Sequence, residues 1–326
     1  MLCIAHPDTD PYFNLASEEY LLKNFTDNCF LLYRNSRSVI IGKHQNALAE
    51  INMDFVSRHR IPVIRRISGG GTVFHDPGNL NFTFIMNGQK GHLVNFRKYT
   101  APIIEVLEKL KITACFEGKN NLVINGRKIS GNAEHVYRNR VLHHGTLLFS
   151  SLLDDLKNAL KSNPEKYKSK AVQSIRSRVT NIKKYLEQEM DVIQFRNIIM
   201  EHIINVFPGT SSYELSTEDI RKINNLRDEK YLTWDWNFGY SPLYEFEKSF
   251  IINRELIHIR LSVSGGIIQK AIISGDYAGK RDKVTVEKLL EGSKHDQAEI
   301  LERLESIPFS EYFSDITAPE FVKKLF

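Results

Sequence analysis

The run Arg65-Arg66-Ile67-Ser68-Gly69-Gly70-Gly71-Thr72-Val73-Phe74-His75-Asp76 constrains this chain more than any other feature. Three consecutive glycines are costly to order, so a fold that orders them must exploit their missing side chains. The use is close approach. Bare amides can converge on an anion, and Arg66 beside them offers a planar charged fork suited to phosphate or carboxylate. The spacing fits neither a Walker loop nor a dinucleotide fingerprint. A flexible hairpin loop is the plainer alternative.

A second segment points to the same chemistry. In Leu122-Val123-Ile124-Asn125-Gly126-Arg127-Lys128-Ile129-Ser130-Gly131-Asn132-Ala133, the Asn-Gly pair between two strand-like runs is a strong hairpin signal. Strand alternation predicts Lys128, Ser130 and Asn132 on one face, with Ile129 and Ala133 on the other. The small residues leave room beside the ammonium for a carboxylate or phosphate. A covalent lysyl-nucleotide, as in nucleic-acid ligases, needs an acidic residue two positions on, and Ser130 stands there. His143 and His144 would point to opposite faces of a strand, so they cannot share a metal ion: one faces the site and the other packs. No Gly-x-Ser-x-Gly elbow is present, and no cysteine adjoins the lysine hairpin as an acyl-carrying nucleophile.

At 326 residues the chain has room for about two domains of roughly 150. Its 42% hydrophobic and 25% charged residues describe a folding globular protein. No apolar run approaches the ~18 residues a bilayer requires, and the first residues lack a signal or transit pattern, so a cytoplasmic location is expected and no membrane partner. Cys3, Cys29 and Cys115 lack metal-ligand spacing and are expected to be reduced. Helical spacing is read from Asn14 to Asn24, with Glu18 and Glu19 facing solvent, and again over 95–110, 152–160 and 192–206. Strands are read over 29–34, 38–41, 61–66, 80–86 and 141–150. A meander over 250–273 with helices beyond Val284 suggests a second unit. The net charge is +5, yet Lys161–Lys184 alone holds eight Lys or Arg against one Glu. That stretch has too few aromatics for a single-strand stacking platform, so nucleic acid is not an expected partner.

With these residues assembled, the chain resembles lipoate-protein ligase A. Arg65 to Asp76, continuing through Gly78-Asn79, resembles that family's RRxSGGGxVFHD motif. Gly126-Arg127-Lys128-Ile129-Ser130-Gly131 resembles its lysine motif, and His143-His144-Gly145-Thr146-Leu147-Leu148 its next strand. Ser174-Ile175-Arg176-Ser177-Arg178-Val179-Thr180-Asn181 and Trp234-Asp235-Trp236-Asn237-Phe238-Gly239 are also similar to family segments, in the expected order.

The resemblance implies an α/β (α+β) catalytic domain, like biotin ligases and class II aminoacyl-tRNA synthetases, over residues 1–241, and a small accessory α+β domain over 242–326. It implies activation of lipoate with ATP and Mg²⁺ to lipoyl-AMP, then transfer to a carrier lysine. Lys128 would be the catalytic residue, touching both the lipoyl carboxyl and the α-phosphate. Arg66, Gly70, Gly71, Thr72, Val73, Phe74 and His75 would join it in holding nucleotide and ligand. The implied acceptors are apo-lipoyl domains of 2-oxoacid dehydrogenase acyltransferase subunits and the glycine-cleavage H protein, and the implied oligomeric state is a monomer. Where many relatives carry Asp before the lysine hairpin, this chain has Asn121 after Asn120, so no Mg²⁺ ligand is assigned. Two alternatives are a transferase that uses preformed lipoyl-AMP and a non-catalytic lipoate or nucleotide sensor.

Overall fold

The computed structural model describes residues 1–89, 91, 93–160, 164–252, 254–276, 279–313 and 316–326. Lys161, which opens the basic stretch, lies outside them. In chain order the strands are β1 (Leu2–Ala5), β2 (Cys29–Tyr33), β3 (Ser38–Ile41), β4 (Val63–Arg65), β5 (Val73–His75), β6 (Asn79–Asn87), β7 (Cys115–Glu117), β8 (Asn121–Ile124), β9 (Arg127–Tyr137) and β10 (Arg140–Leu148). They continue with β11 (Tyr167–Ser169), β12 (Ser211–Ser212), β13 (Tyr244–Ile252), β14 (Glu255–Ser264) and β15 (Ile267–Asp276). The mixed sheets with helices are the α/β class expected.

The chain divides into two compact units. The first gathers Met1–Lys43, His59–Leu160 and Ser174–Thr233, and the second His44–Arg58, Lys161–Gln173 and Trp234–Phe326. The second is therefore built from three stretches of chain, not from a C-terminal segment alone.

An eight-stranded sheet, ordered β12-β1-β2-β6-β10-β9-β8-β7, and a three-stranded sheet, ordered β4-β3-β5, frame the first unit. β1 and β2 run parallel, so the chain between them must cross over, and the helix Pro11–Asn24 makes that crossing. It starts three residues earlier than its apolar spacing indicated, because Pro11 presets the first turn and the Asp10 carboxylate accepts from Tyr12 N–H. Beyond the sheet's other face, the helices Phe96–Lys109 and Val192–Val206 cover Phe30, Leu32, Phe82, Phe84, Val141 and Leu147, forming the apolar core.

The reading of Glu18 and Glu19 as solvent-facing is corrected: their exposures are 1% and 2%. The crossing helix packs against β6 and β10 on one side and the helical stretch 217–231 on another, so it has no wet face there. Glu19 accepts from Lys23 (2.6 Å), Lys230 (2.7 Å) and the Tyr231 hydroxyl (2.6 Å), which compensates its burial.

In the second unit, β11-β13-β14-β15 form an antiparallel sheet. Its Phe246, Ile257, Ile259, Leu261 and Val263 pack with Leu48 and Ala49 from the early segment and with apolar residues of the last helices. His295 sits in this core, accepting at Nδ1 from the Tyr244 hydroxyl (2.8 Å) and donating from Nε2 to the Leu325 carbonyl (2.8 Å).

Burial pushes the His295 imidazole down to about 4 from an ordinary 6.5. Between those values the unfolded chain binds a proton that the fold does not, so stability rises with pH. The contribution is whole above about 6.5 and is lost as pH falls toward 4. Calorimetric midpoints should fall from neutral to mildly acidic pH, and less steeply for His295→Gln; an unchanged slope would count against this assignment.

Candidate active site

Strand register assembles a polar row on the sheet face opposite the apolar core. Leu31 pairs with Thr83, Thr83 with His144, and His144 with Ala133. One pleat along, Tyr33 pairs with Asn81 and Asn81 with Thr146, whose hydroxyl accepts from Gly131 N–H. His143 points the other way, into the aromatic rings of Phe82, Phe96 and Tyr99. The two adjacent histidines thus serve opposite faces, as strand geometry requires.

Against this polar row lies the glycine run. Arg66 is 6% exposed and spends its fork on the chain around it. Nε donates to Ser68 Oγ (3.0 Å), Nη1 to the Ile40 carbonyl (3.2 Å), and Nη2 to the carbonyls of Gly69 and Gly71 (2.8 Å for the latter). The guanidinium therefore shapes the loop. Burial lowers its pKa to about 10, with Glu18 and Tyr33 acting in the opposite direction. Gly70 has φ +86°, a left-handed conformation costly to other residues, and its missing Cβ would lie 4.0 Å from that of Ala133.

Lys128 comes to the same place by an irregularity in its strand. The β8–β9 pairing shifts register between Leu122 and Val123, which pair with Ser130 and Lys128. The extra residue reverses the facing of the positions beyond it. Ser130 and Asn132 hydrogen-bond to each other (3.2 Å) on one side. The Lys128 ammonium lies over Gly131, whose missing Cβ would stand 2.9 Å from Cε and Nζ. The grouping of Lys128 with Ser130 and Asn132 is corrected: its side chain joins the Gly131 and Ala133 face, the one the glycine run approaches. Burial lowers the Lys128 pKa, and the Arg66 charge lowers it further. Among the described residues no carboxylate pairs with this ammonium.

The remaining expected residues are more dispersed. Val73, Phe74 and His75 form β5 against β3. Phe74 is buried, and His75 Nδ1 meets the Asn35 amide at 2.9 Å. Burial, aided by the charge of Arg66, pushes the His75 imidazole down to about 3, so it is neutral. Asp76 holds a turn, accepting from the amides of Gly78 (2.8 Å) and Leu152 (2.6 Å).

Ser174 had no assigned role in the sequence, yet its hydroxyl accepts from Thr72 N–H (2.9 Å) and lies against Gly71. Further along, Lys128 N–H donates to the Arg178 carbonyl (2.8 Å) and Thr180 N–H to the Lys128 carbonyl (3.0 Å). The segment 174–180 thus ties the two motifs together. No group of three His, Cys, Asp or Glu suited to a metal ion is found among the described residues.

This pairing of a glycine run and a lysine strand coincides with a known family. A model of the lipoyl protein ligase A/B catalytic domain matches residues 10–204. The chain belongs to the lipoyl protein ligase family. A model of the bacterial lipoate protein ligase C-terminus matches residues 241–325. The chain is 41% identical to lipoate–protein ligase 1 of Staphylococcus aureus over 97% of this chain and 96% of that protein. It is 39% identical to lipoate-protein ligase LplJ of Bacillus subtilis over 97% of each. Among solved structures, protein Ta0514 of T. acidophilum, with bound lipoic acid, aligns at TM-score 0.62 and 25% identity over 73% of this chain and 98% of that one. A lipoate-protein ligase A bound with ATP aligns with the same score, identity and coverage.

Gly131→Ala tests the placement of the ammonium. The new methyl meets only the far end of a flexible side chain, so the fold should keep its thermal midpoint while the ammonium is displaced. Loss of one charge-assisted contact of about 1.5 kcal/mol weakens ATP binding about tenfold, measurable by isothermal titration. Undiminished affinity would place the anion elsewhere.

Proposed function

We propose that this protein is an ATP-dependent lipoate-protein ligase. It joins lipoate to ATP, giving lipoyl-AMP and pyrophosphate, and then transfers the lipoyl group to a lysine of an apo-lipoyl carrier domain. One observation carries the reading: Lys128 and Arg66 bring two cations together beside the glycine run and the Gly131–Ala133 strand face, and among the described residues neither is neutralised by a directly bound carboxylate. That arrangement suits two anionic reactants that would otherwise repel each other.

A carboxylate is a poor acyl donor at neutral pH until a good leaving group is installed. A lipoate oxygen attacks the α-phosphorus and pyrophosphate departs. The carrier ε-amine then attacks the carbonyl, AMP departs with the bonding pair, and the nitrogen loses its proton. Lys128 offsets the repulsion as the reactants meet and stabilises charge developing on the α-phosphate, an electrostatic role that forms no bond. Arg66 keeps the loop backbone open at Gly70 and Gly71, whose amides are the candidate nucleotide contacts, with Thr72 beside them held through its N–H by Ser174. Val73, Phe74 and His75 support that loop as a strand. The segment 174–180 is the candidate nucleotide cover, with Arg176 and Arg178 exposed on it.

Mg²⁺ characteristically takes ligands from substrate phosphates and water, so in this reading it enters with ATP and no residue is assigned to it. Residues 242–326 assist adenylation. The acceptors are acyltransferase-subunit lipoyl domains or the glycine-cleavage H protein, and the enzyme acts as a cytoplasmic monomer. Among the described residues no helix is long and apolar enough to cross a membrane.

Pyrophosphate release from ATP and free lipoate, before any acceptor is added, is the decisive assay; dependence on supplied lipoyl-AMP would instead favour the transferase. Folded Lys128→Ala should lose about 100-fold or more of that release, and near-normal release would remove its assigned role. Affinity should fall about fourfold for each methylene removed from the acid, at ~0.8 kcal/mol apiece, so octanoate outperforms butyrate. A flat series would argue against a buried acyl chain.

A further inference from the structure

The nearest buried carboxylate to Arg66 in its hydrogen-bond chain is Glu18, and the two are linked through intermediaries. Glu18 is 1% exposed and accepts from the Tyr33 hydroxyl (2.9 Å), the Thr83 hydroxyl and His144 Nδ1 (2.9 Å). The other nitrogen of the same ring, Nε2, meets Ser68 Oγ at 2.6 Å. Ser68, with 0% exposure, accepts from Arg66 Nε. A chain of contacts therefore runs from Glu18 through His144 and Ser68 to Arg66, and from there to the carbonyls of Gly69 and Gly71.

The inventory of donors fixes the proton positions. Burial would raise the Glu18 pKa, but the hydrogen bonds from His144, Thr83 and Tyr33 and the polar His144 ring beside it outweigh it, and the net shift is downward. An ionised carboxylate only accepts, so His144 carries its proton on Nδ1. With the neutral ring protonated on Nδ1, Nε2 only accepts, so Ser68 Oγ, which accepts from Arg66 Nε, donates its hydroxyl proton to Nε2. Every donor then points toward Glu18: guanidinium to hydroxyl, hydroxyl to imidazole, imidazole to carboxylate. Such aligned chains strengthen one another in a low-dielectric interior.

We propose that Glu18, His144 and Ser68 are positioning residues that act as one relay, holding the Arg66 fork and through it the glycine backbone in the geometry adenylation requires. This rests on the ligase reading of the same site. The relay gives the buried cation its counter-charge without letting a carboxylate into the place where anionic substrates must sit. A directly bound carboxylate would compete with them. Distance is the device: the negative charge is supplied from the crossing helix on the same sheet face, two side chains away.

The test is a kinetic cycle on the full chain, reading pyrophosphate release at saturating ATP and lipoate, with circular dichroism confirming the fold of each variant. Glu18→Gln and Ser68→Ala should each lower kcat about tenfold or more, since misplacing reacting groups by about 1 Å costs about 100-fold. KM for lipoate and ATP should change far less. The double variant should be little worse than the poorer single one, because one cut already breaks the relay. If Glu18→Gln fails to fold, His144→Gln with Ser68→Ala closes the same cycle. Nitrogen-15 spectra of the wild-type imidazole should show the Nδ1–H tautomer.

Independent, multiplying losses, wild-type turnover in folded Ser68→Ala, or an Nε2–H tautomer would each overturn the relay. Wild-type protein that releases no pyrophosphate would overturn the ligase reading first and the relay with it. An active wild type with an unaffected Ser68→Ala would sink the relay alone.

Discussion

A guanidinium removed from water must find partners for its donors, and here that requirement organises everything around it. Arg66 satisfies its fork on Ser68 Oγ and on the carbonyls of Ile40, Gly69 and Gly71. A loop with no side chains to pack is thereby held by one side chain that precedes it. The entropy cost of ordering three glycines is offset by charge-assisted bonds to the Gly69 and Gly71 carbonyls, while among the described residues the three glycine amides donate no hydrogen bond. A flexible hairpin, the plainer reading of those glycines, would not bind its own arginine in this way.

The sheet beneath the loop divides its labour by strand alternation. Phe82, Phe84 and Leu147 face the helices and form the hydrophobic core. Thr83, His144 and Tyr33, their neighbours along the strands, turn to the opposite side and meet Glu18 there. Stability and chemistry come from the same strands, one residue apart. A one-residue slip would exchange them, so the apolar face secures the register of the polar one.

Much of this was legible from the chain alone. The glycine run and the lysine strand do share a face, the Asn125-Gly126 turn joins β8 to β9, and the helix Val192–Val206 has the ends its periodicity indicated. What escaped had physical reasons. Apolar spacing separates a helix's core side from its polar side only when one side is wet, and the helix Pro11–Asn24 is covered nearly all round, so its pattern hides the burial of Glu18 and Glu19. A register shift in one strand pair leaves no compositional trace, so simple alternation gives Lys128 the wrong neighbours. Ser174 lies a hundred positions from Thr72, and nothing local announces that pairing. The helix Thr217–Leu226 does announce itself, with Ile220, Ile223 and Leu226 at helical spacing behind the reciprocal Ser216–Asp219 cap, yet it is passed over when the segment is read as a polar stretch.

The threading of the second unit has its own consequence. Its four-stranded sheet draws β11 from the middle of the chain, and its core draws Leu48 and Ala49 from near the beginning. A ribosome releases those pieces long before Phe246 or Phe321 exist to cover them. Until the last helix is made, the nascent polypeptide carries two unfinished fragments of a core whose remainder has yet to be translated. Truncation from the 3′ end of the message would leave Leu48, Ala49 and Tyr167 without the strands and helices that cover them, apolar surface for chaperones and proteases to find.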